Sequence, residues 1–184
     1  QGGPRGRLGW ISEAGDEAAR DPGGKAILVT GAGDRAVCAG ADVSQFPGLS
    51  VEEARKVSKA GHNAFKKFME TPKPVVAAVN GYALGGGNEL ILFCDLRVAS
   101  DKARFSQPEV SIGLMPGWGG TYMLHKIVAK SEANDLLLTR TRITAAEAKS
   151  KGPVLRAYPA DAYTQVPVES RQAPAPGPPK PRTQ

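Results

Sequence analysis

Pro74-Val75-Val76-Ala77-Ala78-Val79-Asn80-Gly81-Tyr82-Ala83-Leu84-Gly85-Gly86-Gly87-Asn88-Glu89-Leu90-Ile91-Leu92-Phe93-Cys94-Asp95-Leu96-Arg97-Val98-Ala99 is the stretch whose reading decides the fold. From Pro74 to Val79 the apolar residues are continuous rather than alternating, the pattern of a strand covered on both faces. Asn80-Gly81 ends that strand with a turn signal. The glycine triplet leads into a short helix at residues 88–93, and Asp95-Leu96-Arg97-Val98-Ala99 reads as the next strand.

The same alternation extends in both directions. Upstream, Lys25-Ala26-Ile27-Leu28-Val29-Thr30 reads as a buried strand ending at Gly31, followed by a loop through Asp42. Ser50-Val51-Glu52-Glu53 is a capping box, in which serine and glutamate three residues apart satisfy each other's free backbone donors. The helix it opens runs to about Glu70, with Val51, Ala54, Val57, Ala64, Phe65 and Phe68 as an apolar stripe and Lys56, Lys59, Lys66 and Lys67 opposite. Downstream, residues 104–107 read as a strand, residues 119–129 and 132–138 as helices, and Thr144-Ala145-Ala146-Glu147 as a second capping box. Repeated strand-then-helix order implies parallel α/β layers with right-handed crossovers. The core is expected over residues 25–152. Residues 1–24, with seven glycines and no periodicity, suggest no element. Residues 153–184 read as a disordered proline-rich tail, since residues 173–184 hold five prolines and no large apolar side chain.

At 184 residues and 41% hydrophobic content, the chain suits one domain with a real core. It has two cysteines, Cys38 and Cys94, which fits a reducing, intracellular compartment better than a disulfide scaffold. No apolar run reaches the roughly 18 residues of a membrane span. The chain begins at Gln1 with no apolar leader after it, which reads as a fragment rather than a secretory start. A net charge of +6 and pI near 9.4 raise the question of nucleic acid. The basic residues are scattered and lack interleaved aromatics, so a solvated surface or a multiply phosphorylated substrate fits better. Gly31-Ala32-Gly33-Asp34-Arg35-Ala36 mimics a dinucleotide-binding turn, but Val37-Cys38-Ala39-Gly40-Ala41 does not continue as the required helix. Two histidines, His62 and His125, and two cysteines lack zinc-site spacing.

Two glutamates stand in frames of small residues: Glu89 after Gly85-Gly86-Gly87-Asn88, and Glu109 in Ser106-Gln107-Pro108-Glu109. Taken singly, the first reads as a first-turn helix carboxylate and the second as a surface residue at a strand end. Together they suit addition of water across an activated double bond, where one group takes a proton and another gives one. These segments, with Cys38-Ala39-Gly40-Ala41-Asp42 and Met115-Pro116-Gly117-Trp118-Gly119-Gly120-Thr121, resemble the enoyl-CoA hydratase/isomerase (crotonase) family across roughly residues 25–152. The resemblance implies a crotonase-like (ClpP/crotonase) α/β fold, an enoyl-CoA hydratase acting on 2-enoyl-CoA thioesters, and no cofactor beyond the coenzyme A of the substrate. It places the acid/base pair on Glu89 and Glu109, and the two backbone donors of an oxyanion hole on Ala39 and Gly86. It further places substrate contacts on Ala39, Gly40, Ala41, Asp42, Val43, Tyr82, Leu84, Gly85, Gly86, Pro108, Glu109 and Gly117. Family members are longer at both ends and assemble as trimers or dimers of trimers in the cytoplasm or mitochondrial matrix; here those flanking parts are missing or unrecognisable. Asn88 stands where cysteine is frequent, and Trp118 is bulkier than the usual small residue, so both bear on acyl selection. An enoyl-CoA isomerase or another acyl-CoA enzyme of this fold is the nearest alternative, and a non-catalytic interaction module is the alternative from another class.

Overall fold

The computed structural model describes residues 6–162. In chain order the regular elements are α1 (Arg7–Arg20), β1 (Ile27–Thr30), β2 (Ala36–Cys38), α2 (Val51–Glu70), β3 (Val75–Val79), β4 (Tyr82–Leu84), α3 (Gly86–Leu92), β5 (Leu96–Ser100), β6 (Arg104–Ser106), α4 (Gly120–Ile127), α5 (Lys130–Thr139), β7 (Ile143–Thr144), α6 (Ala145–Lys151) and β8 (Arg156–Tyr158). Short 3-10 turns at Val43–Gln45 and Pro108–Ile112 complete them.

From β1 to β6, successive strands alternate between two sheets. One has the order β1-β3-β5-β8 and the other β2-β4-β6-β7. Each turn of chain therefore lays one strand in the first sheet and the next in the second, usually before a helix, and the following turn stacks beside it. The register fixes that stacking: Ile27 pairs with Val75, Val76 with Leu96 and Val98 with Arg156, all in parallel. In the second sheet Tyr82 pairs with Arg104, also in parallel. Parallel strands require crossovers. The α2 and α3 helices supply two of them, which is why β3 reads as an unbroken apolar run.

The core forms where helices cover the first sheet. Val75, Ala77 and Val79 are fully enclosed, and Phe65 and Phe68 of α2 close over that region with Ile91 and Leu92 of α3. The second half of the predicted α2 stripe is thus buried, whereas Val51 and Ala54 in the first half are exposed. The amphipathic pattern is real, but the first turns of α2 extend beyond the sheet that the last turns cover. Both capping boxes form as expected, at Ser50–Glu53 and Thr144–Glu147, each contributing about 1 kcal/mol to its helix.

Several expectations need correction. Residues 7–20 form a helix, α1, where none was expected. Its Leu8, Ile11 and Ala18 pack on the core, and Gly15 lies against the Phe68 ring so closely that a Cβ there would be 3.5 Å from it. Tertiary contact with α2 supports a segment whose glycines and charges hide its helical period. The sheets are not wholly parallel, because β7 runs antiparallel to β6. The fold also continues past Gly152: Val154 is 2% exposed in the core, and β8 adds a strand to the first sheet. Arg97 ties down this extension, its Nε donating to the Pro153 carbonyl at 2.6 Å. The proline-rich stretch at 173–184 lies outside the described residues.

Candidate active site

Both glutamates sit where a strand of the second sheet gives way to a helical turn. Gly85 makes the first junction. With φ of 51° and ψ of −124° it adopts a conformation that residues with a Cβ rarely reach, and its carbonyl accepts the Glu89 N–H at 2.8 Å. Gly87 cannot carry a side chain, because a Cβ would lie 2.0 Å from the Cys38 carbonyl oxygen. The glycines thereby seat the start of α3 directly on the end of β2. A Cβ on Gly40 would lie 3.3 Å from the Leu84 carbonyl oxygen and 3.7 Å from the Gly86 nitrogen. The Ala39-Gly40 turn and the Gly86 amide, remote in sequence, are neighbours in space. As the first residue of α3, Gly86 has an N–H with no acceptor inside the helix.

Glu89 is 2% exposed. Its Oε1 accepts two backbone N–H groups, from Trp118 at 2.8 Å and from Gly120 at 2.8 Å. Burial raises its pKa, and the amides of residues 118–120 oppose that rise by favouring the anion. The stabilising donors belong to the turn entering α4, and desolvation is the larger effect.

Glu109 stands in the Pro108–Ile112 turn after β6, and a Cβ on Gly85 would lie 3.1 Å from its Oε1. Its Oε2 is buried with no hydrogen-bond partner among the described residues. Desolvation first, and the charge of Glu89 in addition, push its pKa up to about 7, against an ordinary value of 4.5. One carboxyl group is thus fastened by backbone donors, while its coupled neighbour retains a proton near neutral pH and has an oxygen free. Such a pair can accept a proton at one group and deliver one from the other.

The raised pKa carries a stability signature. Where the folded pKa lies above the unfolded one, the folded state holds the extra proton, so the associated stability is present below the unfolded value and lost as pH rises through the folded value. Relative to Glu109→Gln, the parent chain is expected to lose stability from about pH 4.5 to about pH 7 and to run parallel above that range. Thermal melts of both proteins across this range test the assignment, and parallel curves throughout would contradict it.

The remaining predicted site residues divide into two groups. Gly40, Leu84, Gly85, Gly86, Pro108 and Glu109 come together around the two junctions. Asp42 instead caps the 3-10 turn Val43–Gln45, accepting from the Ser44 amide, and Val43 is exposed. Tyr82 points toward Arg142, whose guanidinium lies 5.5 Å from its ring centroid. Ala39 is exposed and Ala41 half-buried, while Gly117 accepts the Ser58 hydroxyl through its carbonyl at 2.7 Å. The amides that hold Glu89 were not foreseen, although the Gly117-Trp118-Gly119-Gly120 run is the signal for them. Trp118 fills the space between α2 and α3: a Cβ on Gly61 or on Gly86 would lie 2.1 Å or 2.4 Å from its ring. Its ring also meets Phe65 edge-on at 5.6 Å. His62 and His125 are exposed and bond to carbonyls one helical turn earlier, Ser58 and Thr121, which fits surface roles. After Ala32-Gly33-Asp34-Arg35 comes strand β2 rather than a helix, so the dinucleotide-type turn lacks its required context. Among the described residues no His, Cys, Asp and Glu group is placed to hold a metal ion, and no helix is long and apolar enough to cross a membrane.

Two stacked sheets wound by repeated strand-strand-helix turns, with paired glutamates at the strand-to-helix junctions, define an α/β architecture of the crotonase type. Residues 12–179 match the Enoyl-CoA hydratase/isomerase family, and the chain belongs to that family. It is 45% identical over 129 residues to the short-chain-enoyl-CoA hydratase of Clostridium acetobutylicum, covering 70% of this chain and 49% of that protein. It is 43% identical over 145 residues to a mitochondrial enoyl-CoA hydratase of Pongo abelii, covering 79% and 49%. The crystal structure of enoyl-CoA hydratase from Bacillus anthracis superimposes with a TM-score of 0.82 at 33% identity, covering 88% of this chain and 63% of that one. The chain spans about half the length of these two curated relatives.

Proposed function

We propose that this chain carries the catalytic core of an enoyl-CoA hydratase, adding water reversibly to a 2-enoyl-CoA. The observation that carries the reading is the asymmetric carboxyl pair: Glu89 held by two backbone amides, and Glu109 with a raised pKa and an unpaired buried oxygen. In the forward direction Glu89 takes a proton from water as the water oxygen bonds to the β carbon. The electron pair of the double bond moves to the α carbon and thioester, and the negative charge on the carbonyl oxygen is met by the Ala39 and Gly86 amides. Glu109 then gives its proton to the α carbon. The proton left on Glu89 returns to solvent and Glu109 is reprotonated, so the pair is restored. The reaction consumes one water and needs no cofactor beyond the coenzyme A of the substrate. The two free thiols, Cys38 and Cys94, fit a reducing compartment. The exposed Val110, Ile112, Leu114 and Met115 beside Glu109 fit burial in a homo-oligomer.

Incubation with crotonyl-CoA is expected to give 3-hydroxybutyryl-CoA, identified by mass. A 3-enoyl-CoA is expected to give little 2-enoyl product. Conversion of the 3-enoyl thioester without hydration would replace this reading with an isomerase, and thioester binding without turnover of either would favour a non-catalytic module.

A further inference from the structure

A cleft of about 350 Å³ lies beside the second sheet's junctions, lined by Leu84, Ser106, Pro108, Ser111, Arg140 and Arg142. Its lining flanks the candidate site closely. Leu84 precedes Gly85, and Pro108 and Ser111 lie on the same 3-10 turn as Glu109. Neither glutamate lines it, so it is an adjoining space rather than the reaction centre.

Its chemistry is one-sided. Two arginines and no acidic residue line it, while the Ser106 and Ser111 hydroxyls donate to the carbonyls of Arg140 and Pro108. No ion pair to a carboxylate engages Arg140 or Arg142 among the described residues, in contrast to Lys67, paired with Asp16, and Lys151, paired with Glu132. Arg142 is oriented by the ring of Tyr82. Arg140 is the one described residue other than glycine with positive φ, at 55°. A side chain in that conformation costs on the order of 1 kcal/mol relative to glycine. Its carbonyl is fastened by the Ser106 hydroxyl at 3.0 Å, which ties this backbone to β6. The fold thus sustains a strained backbone at Arg140, which lines the same cleft as Arg142.

We propose that this cleft is a subsite for an anionic group, carboxylate or phosphate, carried by the thioester substrate, with Arg140 and Arg142 as its specificity-determining residues. The proposal rests on the acyl-thioester reading above. Guanidinium forks suit both oxyanions, since each offers two oxygens to paired N–H donors. A carboxylate would come from the far end of the acyl chain, a phosphate from the coenzyme A moiety.

Binding of unreactive thioesters by calorimetry separates these sources without depending on catalysis. The ligands are butyryl-CoA, glutaryl-CoA, which adds a terminal carboxylate, and butyryl-pantetheine, which lacks the phosphates. Arg140→Gly together with Arg142→Gln is expected to weaken binding of an anion held in the cleft by about tenfold or more. For an acyl carboxylate, the loss falls on glutaryl-CoA and spares butyryl-CoA. For the phosphates, it falls on both CoA thioesters and spares butyryl-pantetheine. Arg142→Lys should restore part of the loss, and raised salt should shrink it. Arg140→Gly relieves the positive φ, so melting temperature should hold or rise and confirm a folded variant. Equal affinity of variant and parent for all three ligands, equal weakening of all three, or a parent that binds none of them overturns the proposal. Failure of the hydratase reading shows separately, as absence of crotonyl-CoA turnover by a parent that still binds thioesters.

Discussion

Ala39→Pro is expected to lower crotonyl-CoA hydration by about 10²- to 10³-fold while leaving the fold intact. The proposed role of residue 39 is a single backbone N–H aimed at the thioester oxygen as it gains charge, and proline removes that donor. Gly40 can hold the turn in place because its missing Cβ admits the Leu84 carbonyl and the Gly86 amide. Ala39 itself is exposed, so no core packing is lost on substitution. Ala39→Ser keeps the N–H and is expected to cost far less. Circular dichroism and thermal melts establish that the proline variant is folded. A folded Ala39→Pro protein with parental turnover would remove this residue from the oxyanion hole.

Replacing either glutamate with glutamine is expected to cost at least about 10²-fold in hydration, and replacing both should cost far less than the product of the two losses. The non-additivity follows from the pair acting on one water: once proton removal or proton delivery is gone, the other group has little left to do. The two single variants should differ in stability. In Glu89→Gln, the side-chain oxygen can still accept from the Trp118 and Gly120 amides, but the buried charge is removed. In Glu109→Gln, the amide keeps the volume of a group that already has one unpaired buried oxygen. Initial rates with crotonyl-CoA for the parent, both single variants and the double variant test the point. Near-parental turnover in either single variant would refute the shared role.

How far the sequence could be read depends on where its signals are local. The strands β1, β3 and β5, the helix α2 and both capping boxes are legible, because each rests on apolar continuity, periodicity or a three-residue spacing. The strands β2, β4, β7 and β8 are two or three residues long, too short for any period to show. Helix α1 was missed for a related reason: what holds it is packing on α2, and its own residues carry a weak signal.

For the candidate site, Glu89 and Glu109 were legible as chemical types in glycine-rich frames, and the resemblance paired them. The paths of their electrostatics were not. The amides of Trp118 and Gly120 reach Glu89 across about thirty residues, and the raised pKa of Glu109 arises from burial that appears only once its 3-10 turn packs against Gly85 and α5. Arg140 and Arg142 read as two scattered charges among many in the sequence. The cleft that collects them depends on β7 pairing antiparallel with β6 and on the hydroxyl of Ser106 reaching the carbonyl of Arg140. The sequence alone determined the layered α/β class, the glycine junctions and the two carboxyl groups, because these follow from the local chemistry of each residue. Tertiary structure decided which amides face Glu89, how hard Glu109 holds its proton and which arginines line one cleft, because solvation and neighbouring charge are properties of the packed molecule.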